Sequence, residues 1–377
     1  MIDRLLVLRR TLTEAAADAV PERLAEALAK EYGVTGTELY LVDYRLAALV
    51  PIFGGPARTH PGDPAWRCFD HQSTVRENGV IFVPVSARGE RIGVLSCVPA
   101  PAAPGATAEL AEIAAALAHE LQAAADGTDR YQAAVRTRRL TLAAEMQWEL
   151  LPGRSRIRPS FGLAGQLEPS YAVRGDSFDW AEQDGRLSLS VLNGMGEGVS
   201  AALLTSLATF ALRNARRAGI GLADQAALAD QALFAEHRGL AHVSALLLEL
   251  DLRTGEVFAI DAGSPRLLLL RRGEVREQQL TEQFPLGMFE ETDYELESFR
   301  LAPGDRLMLV SDGIHDAVTV AGRYGDTALG RFVRRTGALA PLQAVRSLLG
   351  DLRAYVGDAE LEDDAVAVCL DWNGPVI

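Results

Sequence analysis

Cysteine is scarce in this sequence. The three cysteines, Cys68, Cys97 and Cys369, are odd in number and far apart along the chain. Neither a disulfide framework nor a zinc-ligand pattern can be built from that spacing. We therefore expect small buried core residues in a reducing compartment.

Long apolar runs are also missing. No stretch approaches the roughly 20 apolar residues that a membrane-spanning helix needs. The N-terminal stretch has neither a signal-like apolar segment nor a cleavage-like site. The sequence therefore predicts a soluble, cytoplasmic protein without a membrane partner.

Basic residues are outnumbered by acidic ones. The chain has 37 Lys and Arg against 51 Asp and Glu, which gives a formal net charge of −14. Non-specific nucleic-acid binding depends on basic side chains that neutralise phosphates, so no nucleic-acid partner is expected. None of the six histidines forms a spaced pair typical of a zinc site or a catalytic triad. Acidity suits a divalent-cation site, but it is too common among cytosolic proteins to predict one.

The first hundred residues have the pattern of a small α+β domain. Two short helices around Pro21 precede a strand pair at 38–52 and a hairpin at 78–98. Helices followed by a small antiparallel sheet are typical of an α+β module. The pattern is similar to that of a GAF-type sensor domain over 1–100, which implies an unidentified small ligand or partner for it.

A proline- and alanine-rich stretch at 99–106 marks the end of this domain. Beyond it, two amphipathic helices on either side of Gly127 make up a predicted helical linker over 101–151. One helix runs from Thr107 and the other over roughly 129–151. These helices could pair in a homodimer, or each could pack on its own domain, and the sequence leaves both alternatives open.

The remaining residues, 152–377, have many short strands and few helices. Strands are predicted near 187–193, 243–263, 264–275, 305–313 and 363–372, and helices over 199–217 and 341–356. The first of these helices carries Val199, Leu203, Leu207 and Phe210 on one face. Strands joined by hairpins favour antiparallel sheets covered by helices over a doubly wound parallel sheet.

Acidic or polar residues recur at the ends of the predicted strands. They fall in four stretches: RGDSFD (174–179), LNGMGEG (192–198), VSDGIHDA (310–317) and EDDAV (362–366). Several acids pointing into one cleft could form an oxygen-only site for Mg²⁺ or Mn²⁺. Two such ions roughly 4 Å apart can activate a water and hold a phosphoryl group. Any one stretch alone is better explained by ordinary turns, so the prediction depends on all four.

Together, these stretches resemble the PPM-type metal-dependent protein serine/threonine phosphatases, in the SpoIIE branch of bacterial stress and sporulation signalling. The resemblance runs from about 138 to 372 and also includes LAAEMQWELLP (142–152) and DAGSP (261–265). It implies an α+β fold: an antiparallel β-sandwich flanked by helices, with metals at one edge. The predicted phosphatase domain is 152–377.

The resemblance implies a metal centre at five positions, with no catalytic residue separate from it. Asp312 and Asp363 would bind the first metal, and Asp176 and the Gly194 carbonyl the second. Asn193 falls where the family has an Asp that bridges both. The cofactor would be two Mn²⁺ or Mg²⁺ ions. The partner would be an anti-sigma-factor antagonist phosphorylated on serine or threonine.

Asn193 is the main departure from the family pattern. Its amide oxygen can ligate a hard cation, but its nitrogen cannot. One charge pair at about 4 Å and an effective dielectric near 20 is of order 4 kcal/mol, or roughly three decades in affinity. Arg174 adds positive charge near Asp176. Glu197 and Ser264 stand where the pattern has histidines, and Glu197 could restore the missing negative charge.

Several alternatives therefore stay open. The chain is either a phosphatase with weakened metal binding or a pseudophosphatase that acts as a protein-binding module. Asp364 is the alternative to Asp363, because the register of an Asp-Asp pair can differ by one. His315 is expected to be a solvated turn residue more than an acid catalyst. A nucleotide-binding turn at GMGEG is disfavoured, because its spacing and the surrounding hairpins do not fit a dinucleotide fold.

Overall fold

A computed structural model describes residues 4–99, 105–170, 173–320, 322–357 and 361–376. The chain divides into two compact units, Met1–Arg139 and Leu140–Ile377. Most of the predicted boundary stretch, 99–106, lies outside the described residues.

The first unit contains, among its described residues, a five-stranded antiparallel sheet with helices. Its strand order is β2-β1-β5-β4-β3. The elements are α1 (Arg4–Glu14), α2 (Val20–Tyr32), β1 (Gly36–Val42), β2 (Leu49–Pro51), α3 (Pro64–His71), β3 (Val75–Glu77), β4 (Val80–Ala87), β5 (Glu90–Val98), α4 (Ala106–Ala125) and α5 (Arg130–Val135). The predicted strand pair and hairpin are both present, whereas α3 and β3 were not predicted.

Helix α4 packs on the sheet of the first unit. Its residues Leu110, Ile113 and Leu117 are fully buried in one core with residues of α1, α2 and the sheet. The apolar face that could have formed a dimeric coil is therefore covered within the unit. The predicted linker thus divides, with α4 and α5 in the first unit and its last residues in the second.

The prediction of a single helix over 129–151 is wrong, because in the structure the helix ends with α5. A new helix, α6 (Leu142–Leu150), begins where the Thr141 side chain accepts a hydrogen bond from the Ala144 backbone N–H at 3.2 Å. A threonine in this role ends the preceding segment and starts a new helix.

We predict that the two units are separate domains that can be divided by protease. Arg136, Arg138 and Arg139 are exposed between α5 and α6, so trypsin should cut there first and leave two resistant fragments. Mass spectrometry of the fragments checks this. Replacing Arg136, Arg138 and Arg139 together by Gln should slow cleavage in this segment and leave cleavage elsewhere unchanged. A single resistant core spanning both units would contradict the prediction.

The second unit is a sandwich of two antiparallel sheets, as the sequence predicts. Within the described residues the strand orders are β14-β11-β10-β9-β8 and β13-β12-β15-β18-β7-β6, with β16 and β17 as a separate hairpin. The strands are β6 (Ser155–Ile157), β7 (Phe161–Glu168), β8 (Asp176–Gln183), β9 (Arg186–Gly194), β10 (Val243–Asp251), β11 (Glu256–Ala262), β12 (Arg266–Arg271), β13 (Glu274–Glu277), β14 (Glu297–Arg300), β15 (Asp305–Val310), β16 (Val318–Thr319), β17 (Gly322–Arg323) and β18 (Ala365–Trp372).

Helices cover the outer faces of the sandwich. They are α7 (Gly198–Arg217), α8 (Leu222–His237), α10 (Gly330–Arg335) and α11 (Pro341–Val356), and the short helix α9 (Asp312–His315) follows β15. Apolar residues of both sheets, such as Phe178, Leu189 and Val368, form the core between them. Helices α7 and α8 share a second core with the sheet that contains β9, β10 and β11. Helix α11 packs on β7 and β18 of the other sheet. No helix within the described ranges is long and apolar enough to cross a membrane.

Several large apolar side chains of α7 lie on its outward face. Val199, Leu203 and Phe210 are 40%, 56% and 57% exposed. The buried face carries Leu204 and Leu212 among smaller residues such as Ala201 and Ala208. The helix therefore packs through a face that differs from the one the sequence predicts.

The three cysteines are buried in the cores of their units, as expected. Burial raises the pKa of the Cys68 and Cys97 thiols to about 12. Burial also raises the pKa of the Cys369 thiol. All three are therefore unreactive thiols at neutral pH.

Candidate metal centre

Residues from both sheets meet at one edge of the sandwich. Asp176 begins β8 and pairs across the strands with Asn193, near the end of β9. Asp312 is the first residue of α9, directly after β15, and Asp363 comes just before β18. One carboxylate oxygen from each of the three acids lies within 4.8 Å of the others. The structure thus brings together three acids that are distant in sequence.

Glycines let these segments approach one another. A Cβ on Gly313 would lie 1.8 Å from the Asp364 carbonyl oxygen, and one on Gly194 would lie 2.2 Å from Thr205 Oγ1. Gly175 adopts φ +88°, which favours glycine, and its carbonyl accepts a hydrogen bond from the Thr205 hydroxyl at 2.5 Å. The glycines beside the acids are therefore required by close contacts at Gly313 and Gly194 and by the positive φ of Gly175.

Replacing Gly313 by Ala should weaken metal binding. The added Cβ would push the Asp312 turn away from the Asp363–Asp364 turn, because the atom it meets is backbone. Overpacking of this kind costs about 1–3 kcal/mol, which corresponds to roughly a 5- to 150-fold loss of Mn²⁺ affinity by calorimetry. Gly350→Ala is the matched control, since no atom lies within 4 Å of that Cβ. Equal affinities for the two variants would contradict this account.

Asp176 is the most unusual residue of the cluster. It is fully buried, and neither carboxylate oxygen has a hydrogen-bond partner among the described residues. Burial, together with the nearby Asp312 carboxylate, raises the pKa of Asp176 well above its ordinary value. A buried carboxylate without a partner is destabilising, whereas a hard cation would satisfy it. The donor set, made of oxygens alone, therefore fits Mg²⁺ or Mn²⁺.

The other two acids are also perturbed by burial. Burial and the Asp312 carboxylate raise the pKa of Asp363 to about 6, and Arg174 partly opposes this. Burial raises the pKa of Asp312 as well. Arg174 is exposed, and it lines a cavity of about 790 Å³ together with Asp312, Asp363 and Tyr355. Asp312 and Asp363 thus face a cavity in which Arg174 is the one cationic side chain among the described lining residues.

Asn193 reaches the cluster with its amide nitrogen. Its Nδ2 donates to Asp312 Oδ2 at 2.6 Å and to Ser264 Oγ at 3.2 Å. The amide therefore occupies a lone pair of Asp312 that a cation would otherwise use. Glu197 is exposed directly before α7, and the cluster found within the described residues does not include it.

Asp364 is fully buried, and its carboxylate accepts hydrogen bonds from the backbone N–H groups of Ser170, Arg174 and Gly175. Its oxygens are thus used within the protein, and Asp363 is the member of the pair that joins the cluster. Gly194 is buried beside Asn193, and its N–H donates to the Gly175 carbonyl at 3.2 Å. The ligand role of its carbonyl stays a prediction.

His315 differs from the expectation of a solvated turn residue, because it is only 4% exposed. Its Nε2 donates to the Ser264 carbonyl at 3.0 Å, and its Nδ1 lies 2.8 Å from Asp316 Oδ1. The short helix α9 places it behind Asp312. The imidazole therefore ties the Asp312 turn to the segment that contacts Asn193.

Two comparisons with known proteins bear on this centre. A family model described as Stage II sporulation protein E (SpoIIE) matches residues 183–373, just over half of the chain. This range includes Asn193, Asp312 and Asp363, while Asp176 precedes it. A search of curated proteins finds no match.

Two solved structures share the fold. The RsbU and RsbW domains of Rv1364c from Mycobacterium tuberculosis match with a TM-score of 0.50 and 23% identity, over 60% of this chain and 63% of that one. The match thus spans less than two thirds of that chain. The SiaA-PP2C domain of Pseudomonas aeruginosa matches with a TM-score of 0.50 and 24% identity, over 56% and 85%. At such identities the likeness concerns the fold alone. The family match, together with the two-sheet sandwich that contains the matched residues, shows that the chain belongs to the SpoIIE family of PPM-type phosphatases.

Proposed function

We propose that this chain is a metal-dependent protein serine/threonine phosphatase whose metal binding is weakened by Asn193. The observation that carries the proposal is the buried Asp176 carboxylate, which has no hydrogen-bond partner among the described residues and lies beside Asp312 and Asp363. Such a group destabilises a metal-free protein, and a bound cation removes the penalty.

The residues of the centre would have distinct roles. Asp176, Asp312 and Asp363 would hold the cations, with oxygens of Asn193 and Gly194 as further ligands. When bound, the cations would supply the Lewis acidity that polarises a phosphoryl oxygen and activates a water. The cavity of about 790 Å³ would receive the phosphorylated side chain. The Arg174 guanidinium, which lines that cavity, would bind phosphoryl oxygens.

The proposed substrate is a phosphoserine or phosphothreonine of an anti-sigma-factor antagonist in a partner-switching pathway. Membership of the SpoIIE family supports this, as does the fold shared with an RsbU domain. The proposed cofactor is a pair of Mn²⁺ or Mg²⁺ ions, since the oxygen donors suit both.

A second candidate function is that of a pseudophosphatase. The hydrogen bond of 2.6 Å from Asn193 to Asp312 favours it, because the amide gives this carboxylate a partner without any metal. The sandwich would then serve as a protein-binding module that regulates its partner without hydrolysis.

The first unit is proposed to be a GAF-like sensor domain. A cavity of about 510 Å³ on it is lined by Glu38, Tyr40, Arg58 and His60, among others. A mixed polar and aromatic lining suits a small polar ligand. Thermal-shift screening of the full chain against small metabolites, with Arg58→Ala as the control, would test for ligand binding there.

Manganese-dependent hydrolysis separates the two candidate functions of the second unit. Wild type and Asp312→Asn would be assayed on a phosphoprotein and on an aryl phosphate, with Mn²⁺ occupancy measured by calorimetry. Turnover that requires Mn²⁺ and disappears in Asp312→Asn supports the phosphatase. Bound Mn²⁺ without turnover, or no binding at all, supports the pseudophosphatase.

A further inference from the structure

A buried glutamine lies behind the acidic cluster, on helix α6. Gln147 is 1% exposed, in a helix that otherwise packs with small and apolar residues. Its Nε2 donates to Asp364 Oδ2 at 2.7 Å and to the Asp176 backbone carbonyl at 3.0 Å. One amide group thus joins the two acidic stretches at Asp176 and Asp364, which are 188 residues apart.

Asp364 extends this contact to the backbone that presents Asp176. Its Oδ2 accepts from the N–H groups of Arg174 at 2.7 Å, Gly175 at 3.0 Å and Asp176 at 3.4 Å. Its Oδ1 accepts from the backbone N–H of Ser170 at 2.7 Å and from the Ser170 hydroxyl at 2.9 Å. Hydrogen bonds to a charged acceptor are the stronger kind, so one carboxylate fixes the whole turn before β8.

We infer that Gln147 and Asp364 are positioning residues of the metal centre, which makes α6 part of that centre. The inference rests on the proposed function, in that it treats Asp176 and Asp363 as metal ligands. Asp364 orients the Asp176 side chain, because it binds the backbone turn that precedes β8. It also orients the Asp363 side chain, because the two residues are adjacent in the chain. Gln147 holds Asp364 in place and also fixes the carbonyl of Asp176.

The effect of losing Gln147 should appear in metal affinity. Groups that orient metal ligands without touching the metal typically account for about 10- to 100-fold in affinity. Gln147→Met keeps the length of the side chain but removes both hydrogen bonds. We expect Mn²⁺ affinity, measured by calorimetry on the full chain, to fall by a factor in that range.

Amide hydrogen exchange of the metal-free protein supplies a readout that does not depend on metal binding. In Gln147→Met, exchange at Arg174 and Gly175 should accelerate, because their acceptor is no longer held. Gln225→Met is the matched control. Gln225 lies in α8, is also buried, and donates to the Ile220 carbonyl at 2.6 Å. It should leave both Mn²⁺ affinity and exchange at Arg174 and Gly175 unchanged.

Each outcome decides a separate question. Unchanged affinity and unchanged exchange in Gln147→Met would overturn the inference, as would faster exchange spread evenly over the whole unit. If wild type binds no Mn²⁺, the proposed metal site fails, while local exchange at Arg174 and Gly175 still tests the positioning role. Should Gln147→Met not fold, Gln147→Leu, which also removes both hydrogen bonds and adds no charge, replaces it.

Discussion

Replacing Asn193 by Asp should tighten Mn²⁺ binding by roughly three orders of magnitude. One added charge pair at about 4 Å, in an effective dielectric near 20, is of order 4 kcal/mol, and about 1.4 kcal/mol corresponds to each factor of ten. The same change replaces the amide N–H that now donates to Asp312 with a carboxylate oxygen. Two facing carboxylates repel each other without a cation, so the metal-free variant should melt at a lower temperature and recover when Mn²⁺ is added.

Calorimetry and turnover on an aryl phosphate check this prediction. Asn193→Ala is the control that removes the hydrogen bond to Asp312 without adding charge, so it should gain far less affinity. Arg174→Gly removes an opposing positive charge, so when it is combined with Asn193→Asp the Mn²⁺ affinity measured by calorimetry should rise further. Brisk turnover by wild type, together with no change in Asn193→Asp, would show that Asn193 does not act at the metals.

Replacing Asp176 by Asn should abolish the stabilisation by Mn²⁺ and yet make the metal-free protein more stable. An amide of the same shape can donate hydrogen bonds to Asp312 and Asp363, where a carboxylate only repels them. Satisfying a buried polar group in this way is worth about 1–3 kcal/mol, and each kcal/mol shifts Tm by roughly 2–4 °C in a unit of this size. Thermal melts with and without Mn²⁺ measure both effects.

The pH dependence of the melts supplies a further check on Asp176. Burial raises its folded pKa above the ordinary value of 3.8, so its contribution to stability is full below that value and is lost as the pH rises through the raised pKa. Metal-free wild type should therefore lose more stability than Asp176→Asn as the pH rises above 3.8 towards the raised pKa. Parallel pH profiles for the two proteins would mean that folding does not raise the pKa of Asp176.

Much of the second unit can be predicted from local pattern. Strand alternation and hairpin turns locate strands such as β9 and β10, and glycine beside acid marks the ends where Asp176 and Asp312 lie. Whether Asp363 or Asp364 faces the cluster depends on one residue of register, which only the pairing of β18 with β7 decides. The role of Gln147 was missed because its partners come from stretches far away in the sequence.

Helices are predicted less well, for reasons of packing. The stripe of Val199, Leu203 and Phe210 on α7 suggests a core face, but the helix buries its other side. That side carries Leu204 and Leu212 among alanines and threonines. Helix α8 was not predicted at all, since its alanine-rich sequence lacks a clear apolar stripe. The break between α5 and α6 depends on the cap at Thr141, which a pattern of apolar residues alone does not reveal.

The position of α6 determines where the protein can be shortened. A fragment that begins at 183, where the family match starts, would lack β8 with Asp176 and would leave β18 without its neighbour β7. One that begins at 152 would keep every acid of the centre but lose Gln147, so we expect it to fold and to bind Mn²⁺ more weakly than the full chain. The shortest fragment with the full metal affinity therefore begins no later than Thr141, the residue that caps α6.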